Sequence, residues 1–67
     1  MFNVEVEQES DGRWIAEVID LPGAMAYGQT KEQAIALAEA LALRVLAERL
    51  EHGEPLPALD GVFSISA

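Results

Sequence analysis

Three glutamates near the start of the chain are the residues with the clearest potential for chemistry. Glu5, Glu7 and Glu9 are two positions apart, so on a β-strand they share one face, with neighbours roughly 7 Å apart. Such a row could begin a metal site, but metal catalysis needs oxygens that converge from several elements. The pattern favours a solvated outer face, and we expect these three carboxylates to contact a basic partner.

No other residues form a recognisable catalytic pattern. His52 is the single histidine, and it falls at the predicted end of a helix, where a cation offsets the helix dipole. The chain has no cysteine, which excludes disulfides and thiolate metal sites. The serines show no nucleophile motif, and the 5 glycines are scattered and form no phosphate-binding loop. We therefore expect no enzymatic activity, no cofactor and no metal.

The size and net charge of the chain limit the classes of molecule that it can be expected to bind. The 67 residues include 12 acidic and 4 basic side chains, which gives a net charge of −8. Phosphate backbones and anionic membranes repel such a chain, whereas a basic protein attracts it. We expect no direct nucleic-acid or membrane binding. The length predicts one domain, residues 1–67. We expect this domain to be only marginally stable as a monomer and to be stabilised by self-association. The N-terminus shows no signal segment, which predicts a cytoplasmic protein.

Periodicity and turn signals predict an α+β domain. Apolar residues that alternate with polar ones are typical of half-buried strands, and runs rich in β-branched and aromatic residues are typical of strands in general. The Asp-Gly pair at 11–12 predicts a hairpin turn, and Leu-Pro-Gly at 21–23 predicts a type II turn. The predicted elements are strands at 2–7, 13–19, 24–27 and 61–67 and a helix at 31–52. This β-β-β-α-β order predicts an antiparallel sheet packed on one long helix.

The helix has recognisable ends and two apolar stripes. Thr30 with Gln33 predicts an N-terminal capping box, and Gly53 predicts the C-terminal end. At 100° per residue, one stripe consists of Ala34, Leu37, Ala38, Leu41 and Val45. A second stripe, centred more than about 90° away, consists of Ile35, Leu43, Leu46 and Leu50. We expect the first stripe to cover the sheet and the second to mediate self-association into a homo-oligomer. The alternative is one broad core face.

The order of these signals resembles the HicB antitoxin family. The resemblance rests on the segments at 11–16 (DGRWIA), 20–23 (DLPG) and 28–34 (GQTKEQA), and on the closing segment at 53–57 (GEPLP). It covers nearly the whole chain. It implies a partial RNase H-like fold without the catalytic carboxylates of RNase H. It also implies an antitoxin that binds and masks a small basic HicA-type toxin, which cleaves RNA.

Two other functions stay open at this point. A degenerate metal-dependent nuclease-like domain would use Glu5 and Glu7, and it requires further carboxylates near them. A regulatory module would bind a small ligand at the edge between helix and sheet, and it requires a pocket there. The sequence alone does not choose between these functions and a protein-interaction domain, although the acidic charge favours the last.

Overall fold

Three strands precede one helix in the computed structural model, which describes residues 2–54. The elements are β1 (Val4–Gln8), β2 (Trp14–Val18), β3 (Met25–Gly28) and α1 (Lys31–Glu51). The strands form one antiparallel sheet in the order β1-β2-β3, and α1 packs on one face of it. The predicted α+β class and the first four elements are confirmed. The last predicted strand, 61–67, lies outside the described residues.

Two glycines with positive φ shape the turns between the strands. Gly12 has φ 93°, and its N–H donates to the Glu9 carbonyl at 3.0 Å in the β1–β2 turn. Gly23 has φ 90°, and it precedes Ala24, whose N–H donates to the Leu21 carbonyl at 3.1 Å. Residues with a Cβ rarely adopt this left-handed backbone conformation, whereas glycine adopts it without a steric penalty. The second turn therefore has the positive φ that the predicted type II turn requires.

The N-terminus of α1 is capped by side chains. The Gln33 N–H donates to Thr30 Oγ1 at 3.0 Å, as a helix N-cap requires. In return Gln33 Oε1 accepts the N–H of Gln29 at 2.6 Å, one residue earlier than in the usual capping box. The predicted cap at Thr30 is confirmed, and together these bonds satisfy two backbone donors at the entrance to α1.

A glycine also ends α1. Gly53 has φ 74°, and its N–H bonds to the carbonyl three residues back at 3.0 Å. The Glu54 N–H bonds to the Arg49 carbonyl at 3.0 Å, which completes a Schellman motif. His52 Nδ1 donates to the Glu48 carbonyl at 2.8 Å. The predicted helix end at Gly53 and the predicted helix-end position of His52 are therefore confirmed.

Small side chains dominate the core between α1 and the sheet. Four buried residues of α1 follow each other at intervals of four: Ala34, Ala38, Ala42 and Leu46. The buried hydrophobic residues before α1 are Ala16, Val18, Leu21 and Ala24. Because alanine adds only a methyl group, the helix backbone can lie close to the sheet.

This buried row of α1 corrects the predicted helix stripes. Leu46 is 5% exposed and belongs to the core, and Ile35 packs against the core, so both were wrongly assigned to a free surface. Leu37 was predicted to contact the sheet, yet it is 45% exposed. Residues four apart lie on a row inclined by roughly 26° to the helix axis, and the sheet contacts that row rather than a stripe parallel to the axis. Leu43 and Leu50 are exposed.

Candidate protein-interaction faces

The face of the sheet that points away from α1 is acidic along β1 and β2. Strand alternation turns Val6 and Ala16 towards the core, and it turns Glu5, Glu7 and Glu17 outward, where all three are exposed. The strand register places Glu5 directly opposite Glu17. We call these three glutamates the acidic face.

A shallow cleft of about 410 Å³ lies on the acidic face. Its lining residues are Glu5, Val6, Glu7, Ile15 and Glu17. Within residues 2–54 there is one ion pair, between Arg13 and Asp11 at 2.8 Å, and neither residue lines the cleft. Like charges directly opposite each other on neighbouring strands repel. The cleft therefore has a concentration of negative charge that a cation would relieve.

Glu9, the third member of the predicted row, does not share the acidic face. β1 ends at Gln8, and Glu9 lies half-buried in the turn, where its N–H donates to the Arg13 carbonyl at 2.7 Å. The row prediction was wrong at this position because alternation stops where the turn begins. Glu17 supplies the third carboxylate from the neighbouring strand. Its place between two apolar residues of β2 was the signal that could have identified it.

An apolar margin lies beside the acidic face on β3. Met25 and Tyr27 are 45% and 44% exposed, and the register places them opposite Glu17 and Ile15 on the outer face. We call Met25 and Tyr27 the apolar margin. The guanidinium of Arg13 lies 4.6 Å from the centroid of the Tyr27 ring, which is a cation–π distance. Exposed apolar area next to charged groups is typical of protein-binding surfaces.

Arg13, the only basic residue between positions 2 and 28, is held by the hairpin turn. Its backbone N–H donates to Asp11 Oδ1 at 3.0 Å, and its Nε–H donates to Asp11 Oδ2 at 2.8 Å. These bonds, first the backbone one and then the side-chain one, hold the pKa of Asp11 below its ordinary value of 3.8. Arg13 therefore neutralises Asp11 and covers Tyr27, and it forms no ion pair with the acidic face.

The other candidate chemistries lack a built site among the described residues. In the part of the chain from 2 to 54, no three His, Asp or Glu side chains are grouped so that they could hold a metal ion. The cleft opens on the outer face of the sheet, whereas the ligand-binding alternative places its pocket at the helix–sheet edge. His52 is bonded to the end of α1. The three glutamates of the acidic face are exposed carboxylates outside any such site in this part of the chain.

The second exposed apolar surface lies on α1. Of the four residues predicted for self-association, Leu43 and Leu50 are 59% and 53% exposed, whereas Ile35 and Leu46 pack in or against the core. An exposed leucine on its own is ordinary for a protein surface. Two of them seven residues apart on one helix define a face, and that face points away from the sheet.

No protein-family model, curated protein or solved structure matches this chain. Among residues 2–54 there is no helix with the length and apolarity needed to cross a membrane.

Proposed function

We propose that this chain is an antitoxin-type protein-interaction domain, similar to HicB antitoxins, that binds and masks a small basic HicA-type toxin in the cytoplasm. The observation that carries the proposal is the acidic face, on which Glu5, Glu7 and Glu17 point outward from two adjacent strands. In this proposal the chain catalyses nothing itself. It acts by covering a basic surface that its partner needs for work on RNA.

Charge is distributed unevenly over the chain in a way that supports this surface. Residues 2–28, which form the sheet and its turns, include six acidic side chains and one basic one, a net charge of −5. A concentrated negative field accelerates the approach of a basic protein. An arginine or lysine from the partner, placed in the cleft, would also offset the repulsion between Glu5 and Glu17.

The apolar margin supplies what charge alone does not. Exposed ion pairs contribute only about 0–1 kcal/mol each, so a stable complex also needs apolar area that leaves water. Ile15 lines the cleft on the acidic face, and Met25 and Tyr27 lie directly beside it. A partner that covers these three side chains together with the glutamates would be bound both by ion pairs and by the burial of apolar area.

The motif order supports the HicB-type part of the proposal. The glycine of the turn at 21–23 adopts positive φ, Thr30 caps α1, and Gly28 lies against the first turn of α1. The segments that carry the resemblance therefore specify how this sheet and helix are joined. The partial RNase H-like fold belongs to the same proposal, because it requires the last strand predicted at 61–67.

The test first establishes whether a neighbouring reading frame encodes a small basic protein. It then measures the binding of that protein to this chain by calorimetry at low and high salt. We expect a complex that weakens as salt rises. The variant Glu5→Gln/Glu7→Gln/Glu17→Gln should weaken it by roughly tenfold or more at low salt. The matched control changes three exposed glutamates near the end of α1 to glutamine: Glu48, Glu51 and Glu54. This control has the same net charge and should bind within roughly threefold of the wild type.

Two results would contradict the proposal. One is the absence of any complex with that protein at low salt. The other is equal weakening by the two triple variants, because binding would then depend on net charge and not on the acidic face. A thermal shift with Mg²⁺ that disappears in Glu5→Gln/Glu7→Gln would instead support the metal-dependent alternative.

A further inference from the structure

The exposed face of α1 has the spacing of a coiled-coil seam. Leu43 and Leu50 are one heptad apart and 59% and 53% exposed. Together with three alanines, these leucines form a series whose members are alternately four and three residues apart. Ala36 and Ala47 are exposed, and Ala40 is half-buried. We call the five residues the outer seam: Ala36, Ala40, Leu43, Ala47 and Leu50.

The outer seam lies on the side of α1 away from the core. At 100° per residue, Leu43 is roughly 140° around the helix from Ala38, which is fully buried against the sheet. The sheet therefore cannot cover the outer seam. Steps of four and three average 3.5 residues, which keeps such a seam in line with a partner helix that has the same repeat. Its alanines allow two helix backbones to approach closely, with the leucines packed between them.

Charge favours a second copy as the occupant of this seam. α1 carries four acidic and three basic side chains, a net charge of −1, whereas residues 2–28 carry −5. Two copies therefore repel least when helix meets helix. The flanks are also complementary in parallel pairing, because Glu39 and Arg44 are five residues apart on opposite sides of the outer seam. That is the spacing of interhelical ion pairs in parallel coiled coils.

We propose that α1 pairs in parallel with α1 of a second copy of this chain along the outer seam, with Glu39 of each copy facing Arg44 of the other. An antiparallel pair centred on Leu43 would instead bring the two Arg44 side chains together. In the parallel dimer both acidic faces stay on the outside. This inference does not depend on the proposed function, and a dimer would present two acidic faces for partners.

The cysteine-free chain allows a direct test by cross-linking of the full chain. In a parallel pair each seam residue meets its own counterpart, so Ala36→Cys and Ala47→Cys should each form a disulfide-linked dimer on mild oxidation. Glu48→Cys is the control, because Glu48 is exposed and lies off the seam. A mixture of Ala36→Cys and Leu50→Cys should give little of the mixed dimer, which is the product expected from antiparallel pairing.

Sedimentation of charge variants tests the same surface in solution. Leu43→Glu should raise the dimer dissociation constant at least tenfold, while Ile19→Glu, at a residue 45% exposed outside the seam, should leave it nearly unchanged. Arg44→Glu should weaken the dimer, and adding Glu39→Arg should restore it. Circular dichroism checks that each variant keeps its helix.

Three outcomes would overturn the inference. The first is a wild-type monomer at roughly 100 μM, which would include the case in which the chain's own residues beyond 54 cover the seam. The second is cross-linking of Glu48→Cys as efficient as that of Ala47→Cys. The third is mixed dimers of Ala36→Cys with Leu50→Cys in place of the self-linked ones.

Discussion

The last residue of β3 leaves no room for a side chain against the first turn of α1. A Cβ on Gly28 would lie 2.5 Å from the backbone nitrogen of Ala34 and 2.9 Å from its Cα. Ala34 is itself fully buried. Because the crowded atoms are backbone, the clash could be relieved only by moving the start of α1 off the sheet. This contact thus determines how closely helix and sheet approach.

Gly28→Ala should accordingly destabilise the fold. Overpacking in a rigid site costs about 1–3 kcal/mol, and we expect a loss of unfolding free energy in that range in urea denaturation. Gly12→Asn is the control, because Gly12 has φ 93° with open space around it, and asparagine tolerates that backbone better than most residues. A Gly28→Ala variant as stable as the wild type would show that α1 can shift without cost.

Local chemistry explains which features could be predicted from the sequence. The positive φ at Gly12, Gly23 and Gly53 and the cap at Thr30 depend on a few consecutive residues, so short motifs were enough. Which row of α1 residues contacts the sheet depends on packing between distant segments. A stripe parallel to the helix axis places Leu46 on the surface, whereas the inclined row that contacts the sheet places it in the core.

The difference in burial between two leucines of α1 predicts different losses of stability when each is changed to alanine. Leu46→Ala removes side-chain volume from the core and should cost about 2–5 kcal/mol of unfolding free energy. Leu37→Ala removes the same atoms from a residue that is 45% exposed, and it should cost less than about 1 kcal/mol. A larger loss for Leu37→Ala than for Leu46→Ala in urea denaturation would mean that α1 contacts the sheet along the predicted axial stripe after all.

The bonds between Arg13 and Asp11 in the hairpin turn predict how stability depends on pH. Because its folded pKa is lowered by the two bonds from Arg13, Asp11 contributes stability above its ordinary pKa of 3.8, and that contribution is lost as the pH falls through the lower folded value. Carbon NMR of the Asp11 carboxyl should give a midpoint below 3.8. In Arg13→Ala the pKa of Asp11 should rise only part of the way, since the backbone N–H still donates. Full return to 3.8 would assign the whole effect to the side chain.

The acidic face should trade stability for binding. Glu5 and Glu17 are directly opposite on neighbouring strands, and such like-charge pairs are destabilising by about 0.2–1 kcal/mol. Glu5→Gln should therefore raise the free energy of unfolding at low salt, and the gain should shrink as salt screens the repulsion in the wild type. Glu7→Gln is the matched control, because Glu7 lies on the same strand and face but opposite Ile15.

If Glu5→Gln is more stable than the wild type and also binds the basic partner more weakly, the repulsion between Glu5 and Glu17 serves the interaction and not the fold. Proteins commonly keep such locally unfavourable groups where a partner needs them. A Glu5→Gln variant no more stable than Glu7→Gln would show instead that the two carboxylates avoid each other in solution. The cleft between them would then lack the charge concentration on which binding of a cationic side chain depends.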